Sequence, residues 1–210
     1  MVQRVASFRN RRYNAYVPAM GYAADVIHGA AYAVDFLTPV AANATNILSA
    51  VAGTAGTPLT VFGNDTADAP FGRNVANGAG GSITVRGKDY LGQGVSETIA
   101  ASTVGKKAFK WIDAIDPFTG AVSVGWGALL GLPYRMAAVM EEIGNGVEAA
   151  PGALVAGVLT DPQTATTGDP RGTYAPTTPL NGSNRILAKF QPYNILNANG
   201  NGGLHGIQAA

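Results

Sequence analysis

From about residue 57 the chain is a succession of short runs rich in β-branched and aromatic residues, each closed by Gly, Pro, Asn or Asp. A sequence so punctuated has little room for the long apolar stripe of a packed helix, and instead reads as several short strands joined by turns. The runs predict strands over 59–62, 82–86, 95–100, 108–115, 121–124, 155–159 and 185–190. In "SITVR" (82–86) polar and apolar residues alternate, which puts Ile83 and Val85 on one face and Thr84 and Arg86 on the other. The linker "GKDYLGQG" (87–94) has glycines free to take positive φ, so 82–86 and 95–100 are expected to form a hairpin. "DPFTG" (116–120) sets Pro and Gly where a type I turn wants them and joins two further strands.

Upstream, bulky residues at 32, 34 and 36 predict another strand, while 43–56 fits either a short helix or an extended arm. Gly131 and Pro133 argue against a long helix there, and 136–143 is the best helical window, about two turns. The expected fold class is mainly β: a β-sandwich or jelly-roll-like domain with an extended N-terminal arm and at most one or two short helices. The expected division is a basic, Ala-rich arm over 1–56, the sandwich over 57–195, and a Gly/Asn-rich tail over 196–210 that ends in "NANGNGGLHG" before the last residues.

Composition narrows the function. The 210 residues contain no cysteine and two histidines, His28 and His205. That removes disulfides, thiolate metal sites and a Cys nucleophile, and leaves little for imidazole chemistry. Only 13% of residues are charged and the net charge is +1, against about 25% charged in ordinary soluble domains. An unusually neutral surface is expected. No stretch reads as a transmembrane helix, and no continuous apolar segment follows the first arginines as in a signal peptide, so synthesis in the cytoplasm and no membrane partner are expected.

Motifs of enzymes are missing: there is no Walker A pattern, no H-E-x-x-H and no G-x-S-x-G. His28, set among apolar residues, reads as a buried or interface imidazole. Asp113 and Asp116 project to opposite faces of a strand, with Asp116 expected to cap a turn, and adjacent Glu141 and Glu142 read as a solvated face. "NDTAD" (64–68) offers Asp65 and Asp68 as oxygen ligands for calcium but lacks the rest of an EF-hand loop. Neither catalysis nor a metal or other cofactor is expected.

Arg4, Arg9, Arg11 and Arg12 all precede the first acid, Asp25. Such an arm suits phosphates or an acidic protein neighbour, and the small net charge and lack of aromatics among Lys106, Lys107 and Lys110 argue for protein docking over nucleic acid. Tyr13 and Tyr16 would serve as adaptable anchors beside these arginines. Phe109, Trp111, Trp126 and Tyr134 are expected in the core or a subunit interface.

Three stretches carry a family likeness: "SITVRGKDYLGQGVSETIAASTVGKKAFKWIDAI" (82–115), "VSVGWGALLGLPYR" (122–135) and "GVLTDPQTATTGDPRGTYAPTTPLNGSNRILAKF" (157–190). They resemble virion structural proteins of tailed bacteriophages, of the head-decoration or capsid-cement type, over roughly 82–190. The resemblance implies binding of the major capsid protein lattice on the capsid surface of the virion, non-covalent stabilisation of the head, and no enzyme activity. A neutral surface suits burial against a lattice or against further copies as a homo-oligomer, and an arm suits strand addition to a neighbour. Arg4, Arg9, Arg11, Arg12, Tyr13 and Tyr16 would then contact the capsid. Alternatives are a tail-tube, head–tail adaptor or fibre-base component, or a surface carbohydrate-binding module stacking sugars on Trp126 and Tyr134.

Overall fold

The computed structural model describes residues 32–54, 56–65, 68–116, 118–133, 136–145, 147–149 and 173–192. These residues form twelve strands in three four-stranded antiparallel sheets, and no helix. The protein is mainly β and sandwich-like.

The first sheet runs in the order β3 (Leu59–Asp65), β7 (Trp111–Ile115), β5 (Ile83–Lys88) and β6 (Gly94–Ile99). The expected hairpin is its best-defined part: β5 and β6 pair without interruption from Ile83↔Ile99 to Lys88↔Gly94. Ile83, Val85 and Gly87 are buried while Arg86 and Lys88 are exposed, as the period-2 pattern requires. At the tip the Asp89 carboxylate accepts the Leu91 and Gln93 N–H groups at 2.8 and 2.9 Å, and Gly92 takes φ +82°. The side chain reinforces a turn that backbone bonds from the Asp89 N–H to the Gln93 carbonyl and from the Gly92 N–H to the Asp89 carbonyl also close.

The second sheet is built on β8 (Ala121–Gly131), which pairs with β2 (Asn43–Ala52), β4 (Arg73–Ala79) and β11 (Thr173–Tyr174). Segment 43–56, left open between helix and arm, is strand over 43–52. Residues 32–35 and 43–52, expected within the arm, thus lie in two sheets. The two sheets share one core that includes Ile83, Val85, Ile112 and Ile115 from the first and Val75, Val122, Val124 and Trp126 from the second. Gly125 and Gly127 let β2 and β4 lie close beside β8. A Cβ on Gly125 would lie 1.8 Å from the Asn43 carbonyl oxygen, and one on Gly127 would lie 2.2 Å from Asn74 Oδ1.

The third sheet, β1 (Tyr32–Asp35), β12 (Ile186–Pro192), β9 (Met136–Gly144) and β10 (Val147–Ala149), closes a second core of Val34, Phe36, Ile186, Ala188 and Phe190 against Leu130, Leu132 and Tyr174. Here the sequence reading of 136–143 as helix is corrected: the segment is β9, paired with β12 on one side and β10 on the other. A helix of two turns is marginal in water, whereas two neighbouring strands supply hydrogen bonds to both edges. The expected strand over 155–159 lies outside the described residues.

Candidate functional site

Strand β4 opens with a charged residue that has no access to solvent. Arg73 is 0% exposed. Its Nη1 donates to Asp68 Oδ2 and to the Val40 carbonyl, both at 3.1 Å, and its Nε donates to the Gly127 carbonyl at 2.9 Å. Asp68 Oδ2 also accepts the Val40 N–H at 2.8 Å. The pair therefore grips both backbone polar groups of Val40 while tying them to the middle of β8. Burial pulls the Arg73 guanidinium below its ordinary pKa, and the Asp68 charge opposes that shift.

What the pair holds is the loop 37–40, "LTPV". The Leu37 N–H donates to Asp35 Oδ1 at 3.0 Å, and the Leu37 and Pro39 carbonyls accept from the Ile186 and Gly182 N–H groups, each at 2.9 Å. Arg185 pins Asp35 from outside at 2.5 Å. Burial raises the pKa of Asp35, but the hydrogen bonds from Arg185 and from Leu37, with the Arg185 charge, outweigh it and hold the carboxyl below its ordinary value. With its backbone bonded inward, the loop points apolar side chains outward: Leu37 and Val40 are 44% and 46% exposed. Leu37 does so at φ +62°, a left-handed conformation costly for a bulky side chain.

A row of rings links this loop to the β5–β6 turn. Phe36 meets Phe71 edge-on at 6.3 Å, and Phe71 meets Tyr90 edge-on at 5.3 Å. The Tyr90 hydroxyl donates to the Pro133 carbonyl at 2.7 Å, and the next residue, Leu91, is 51% exposed. Leu37 and Leu91 thus follow the two end rings of one fixed aromatic row.

The described carboxylates are largely committed to structure. Asp116 pairs with Arg86 at 2.5 Å and Glu141 with Lys189. Glu97 accepts the Lys106 and Lys107 N–H groups at 2.7 and 3.0 Å. The expectation of a solvated Glu142 is corrected: it is 0% exposed and accepts the Thr177 N–H and hydroxyl, both at 2.9 Å, and the Thr178 N–H at 2.6 Å. The strand's alternation turns Glu142 inward beside a loop that needs an acceptor. Asp68, named for calcium, is spent on Arg73, and among the described residues no group of three His, Asp or Glu could hold a metal ion.

The arm residues Arg4, Arg9, Arg11, Arg12, Tyr13 and Tyr16 lie outside the described residues, as do His28, Tyr134 and His205. Phe109 and Trp126 are core, 0% and 6% exposed. Trp126 is therefore no surface platform for sugars, which corrects that part of the alternative. Trp111 is half-buried on the outside of the first sheet. Sequence reading missed Arg73 and the 37–40 loop, and gave Asp68 a different role. Its one usable signal was an arginine five residues after an aspartate, across an uncharged turn-like run, "APFG" (69–72).

No family model matches this chain, and neither a curated protein nor a solved structure matches it. No helix of the described residues is long and apolar enough to cross a membrane.

Proposed function

We propose that this chain is a virion structural protein of a tailed bacteriophage, a non-catalytic decoration or cement protein that binds the major capsid protein lattice and stabilises the head. The observation that carries the reading is the 37–40 loop, an uncharged apolar projection held by a buried ion pair on a β-sandwich-like body. A contact pre-organised in this way loses little conformational freedom on docking, and apolar anchors entering a partner's pocket supply most of an interface's energy. The charge-free run over 36–64 supports it, because flanking charges would have to be desolvated against a lattice. The likeness of residues 82–190 to decoration proteins supplies the partner, and the basic arm supplies a second contact through Arg4, Arg9, Arg11 and Arg12, with Tyr13 and Tyr16.

Counting the chain in purified particles by mass spectrometry and locating it by cryo-EM tests the reading. Hundreds of copies over the head are expected, with attachment lost on deleting residues 1–16 and weakened at least tenfold by Val40→Asp. A dozen copies near the tail would reassign the chain to an adaptor or fibre base, and absence from particles would end the proposal.

A further inference from the structure

The outward face of the first sheet is built differently from the neutral loop. Since Ile83, Val85, Ile112 and Ile115 fill the core, the residues between them face away from it. Register then sets Trp111 beside Lys88, and Lys88 beside Gly94. One step along, Arg86 lies between Ala114 and Ser96. Small residues therefore lie beyond Lys88 and on either side of Arg86, and a Cβ built on Gly94 meets nothing within 4 Å. The face is flat and open.

Its charges are of both signs. Arg86 and Lys88 on β5 stand near three acidic positions, Asp113 in β7, Asp116 just past its end and Asp65 on β3, beside Trp111 in the register, and Arg86 is already paired with Asp116. Asp113 is the extra residue of a bulge opposite the Arg86–Gly87 step, a device that re-aims side chains at functional sites. A polyanion such as single-stranded nucleic acid needs uncompensated cations along its backbone. A neutral polyol instead needs a planar apolar surface for a ring face, with donors and acceptors of both signs around it for hydroxyls.

We infer that this face is a carbohydrate-binding site, with Trp111 as the stacking platform and Arg86, Lys88 and Asp116 as hydrogen-bonding partners of a neutral sugar. The site shares no residue with the 37–40 loop or with residues 1–16, so either reading stands if the other fails.

The full chain is tested on an array of neutral hexose and N-acetylhexosamine oligosaccharides, with a deoxythymidine oligomer as the charged control. Binding to at least one neutral oligosaccharide is expected, insensitive to salt. Trp111→Ala should weaken it about tenfold or more, with the thermal midpoint recorded alongside. Because Trp111 is half-buried, Arg86→Ala serves as a second variant: it removes an exposed surface pair, which costs the fold little, and should also weaken binding. No neutral sugar bound, wild-type binding by both variants, or preference for the deoxythymidine oligomer with a steep salt dependence would each overturn the assignment.

Discussion

The guanidinium of Arg73 and the carboxylate of Asp68 stand 3.1 Å apart, one with no solvent exposure and the other with its side chain 26% exposed. Between them they bind Val40 by both its N–H and its carbonyl. A buried ion pair adds little net stability compared with a well-packed apolar pair, but breaking one leaves a charge without its partner. Its role here is positional, since it fixes one loop to the centre of β8.

Removing that guanidinium should be severe. Arg73→Ala strips the partner from Asp68 and the donors from the Val40 and Gly127 carbonyls, and is expected to cost about 3–5 kcal/mol. Arg73→Lys should recover only part of it, because one ammonium lacks the fork that reaches acceptors in different directions. Urea unfolding monitored by tryptophan fluorescence measures both. A loss below about 1 kcal/mol for Arg73→Ala would show that the pair does not hold the loop.

Leu37 should separate stability from docking. Its positive φ costs about 1–2 kcal/mol for an L-residue, so Leu37→Gly, at an exposed position, is expected to leave the thermal midpoint unchanged or raise it, while attachment to particles falls. The gain is limited to about 1 kcal/mol because glycine adds freedom to the unfolded chain. A lowered midpoint would mean that the side chain supports the fold rather than projecting from it.

Acid should weaken the same loop from its other end. The Asp35 pKa is lowered from 3.8, so the folded state holds fewer protons than the unfolded one near that pH. The stabilisation is complete above about pH 4 and is lost as pH falls through the lower, folded value. Asp35→Asn should flatten the acid limb of a stability–pH curve, and high salt should weaken the exposed Arg185 pairing. A limb of unchanged steepness in Asp35→Asn would assign the acid loss to other carboxylates.

Glu142 holds the segment that follows Tyr174. Glu142→Ala removes the acceptor of three hydrogen bonds from a buried site and is expected to cost about 2–4 kcal/mol. Amide exchange at Thr177 and Thr178 should accelerate more than exchange in β5 and β6. Uniform acceleration throughout the chain would instead indicate that the carboxylate supports the whole fold equally.

The parts of the structure that were legible were those whose local pattern matches their burial. β5 and β6 alternate because one face is wet, and Asp89 and Gly92 supply turn chemistry that needs no distant partner. β4 was illegible for the opposite reason. In "RNVANGA" Arg73, Asn74 and Asn77 are all buried, with side chains bonded to the backbone of neighbouring segments. Asn74 donates to the Gly105 carbonyl and accepts the Leu129 N–H, and Asn77 donates to the Gly81 and Ala100 carbonyls. No strand is expected over these polar residues from the sequence, because the groups that satisfy them are up to 55 positions away. β9 was misread because Met, Ala and Glu favour helix slightly, by a few tenths of a kcal/mol each, less than strand pairing on two edges contributes.

By itself the sequence determined the class: short strands, turn chemistry at 87–94 and 116–120, a sparsely charged surface, and no cysteine. Those properties are local or additive, so neighbouring residues suffice to express them. Tertiary structure alone decided that Arg73 is buried against Asp68, that Leu37 is held outward in a left-handed conformation, that Trp126 is interior, and that Trp111 remains on an open face. Each depends on long-range pairings to β8, β12 or β5, and a partner's burial and charge are set by the strand brought beside it rather than by the residues next in line.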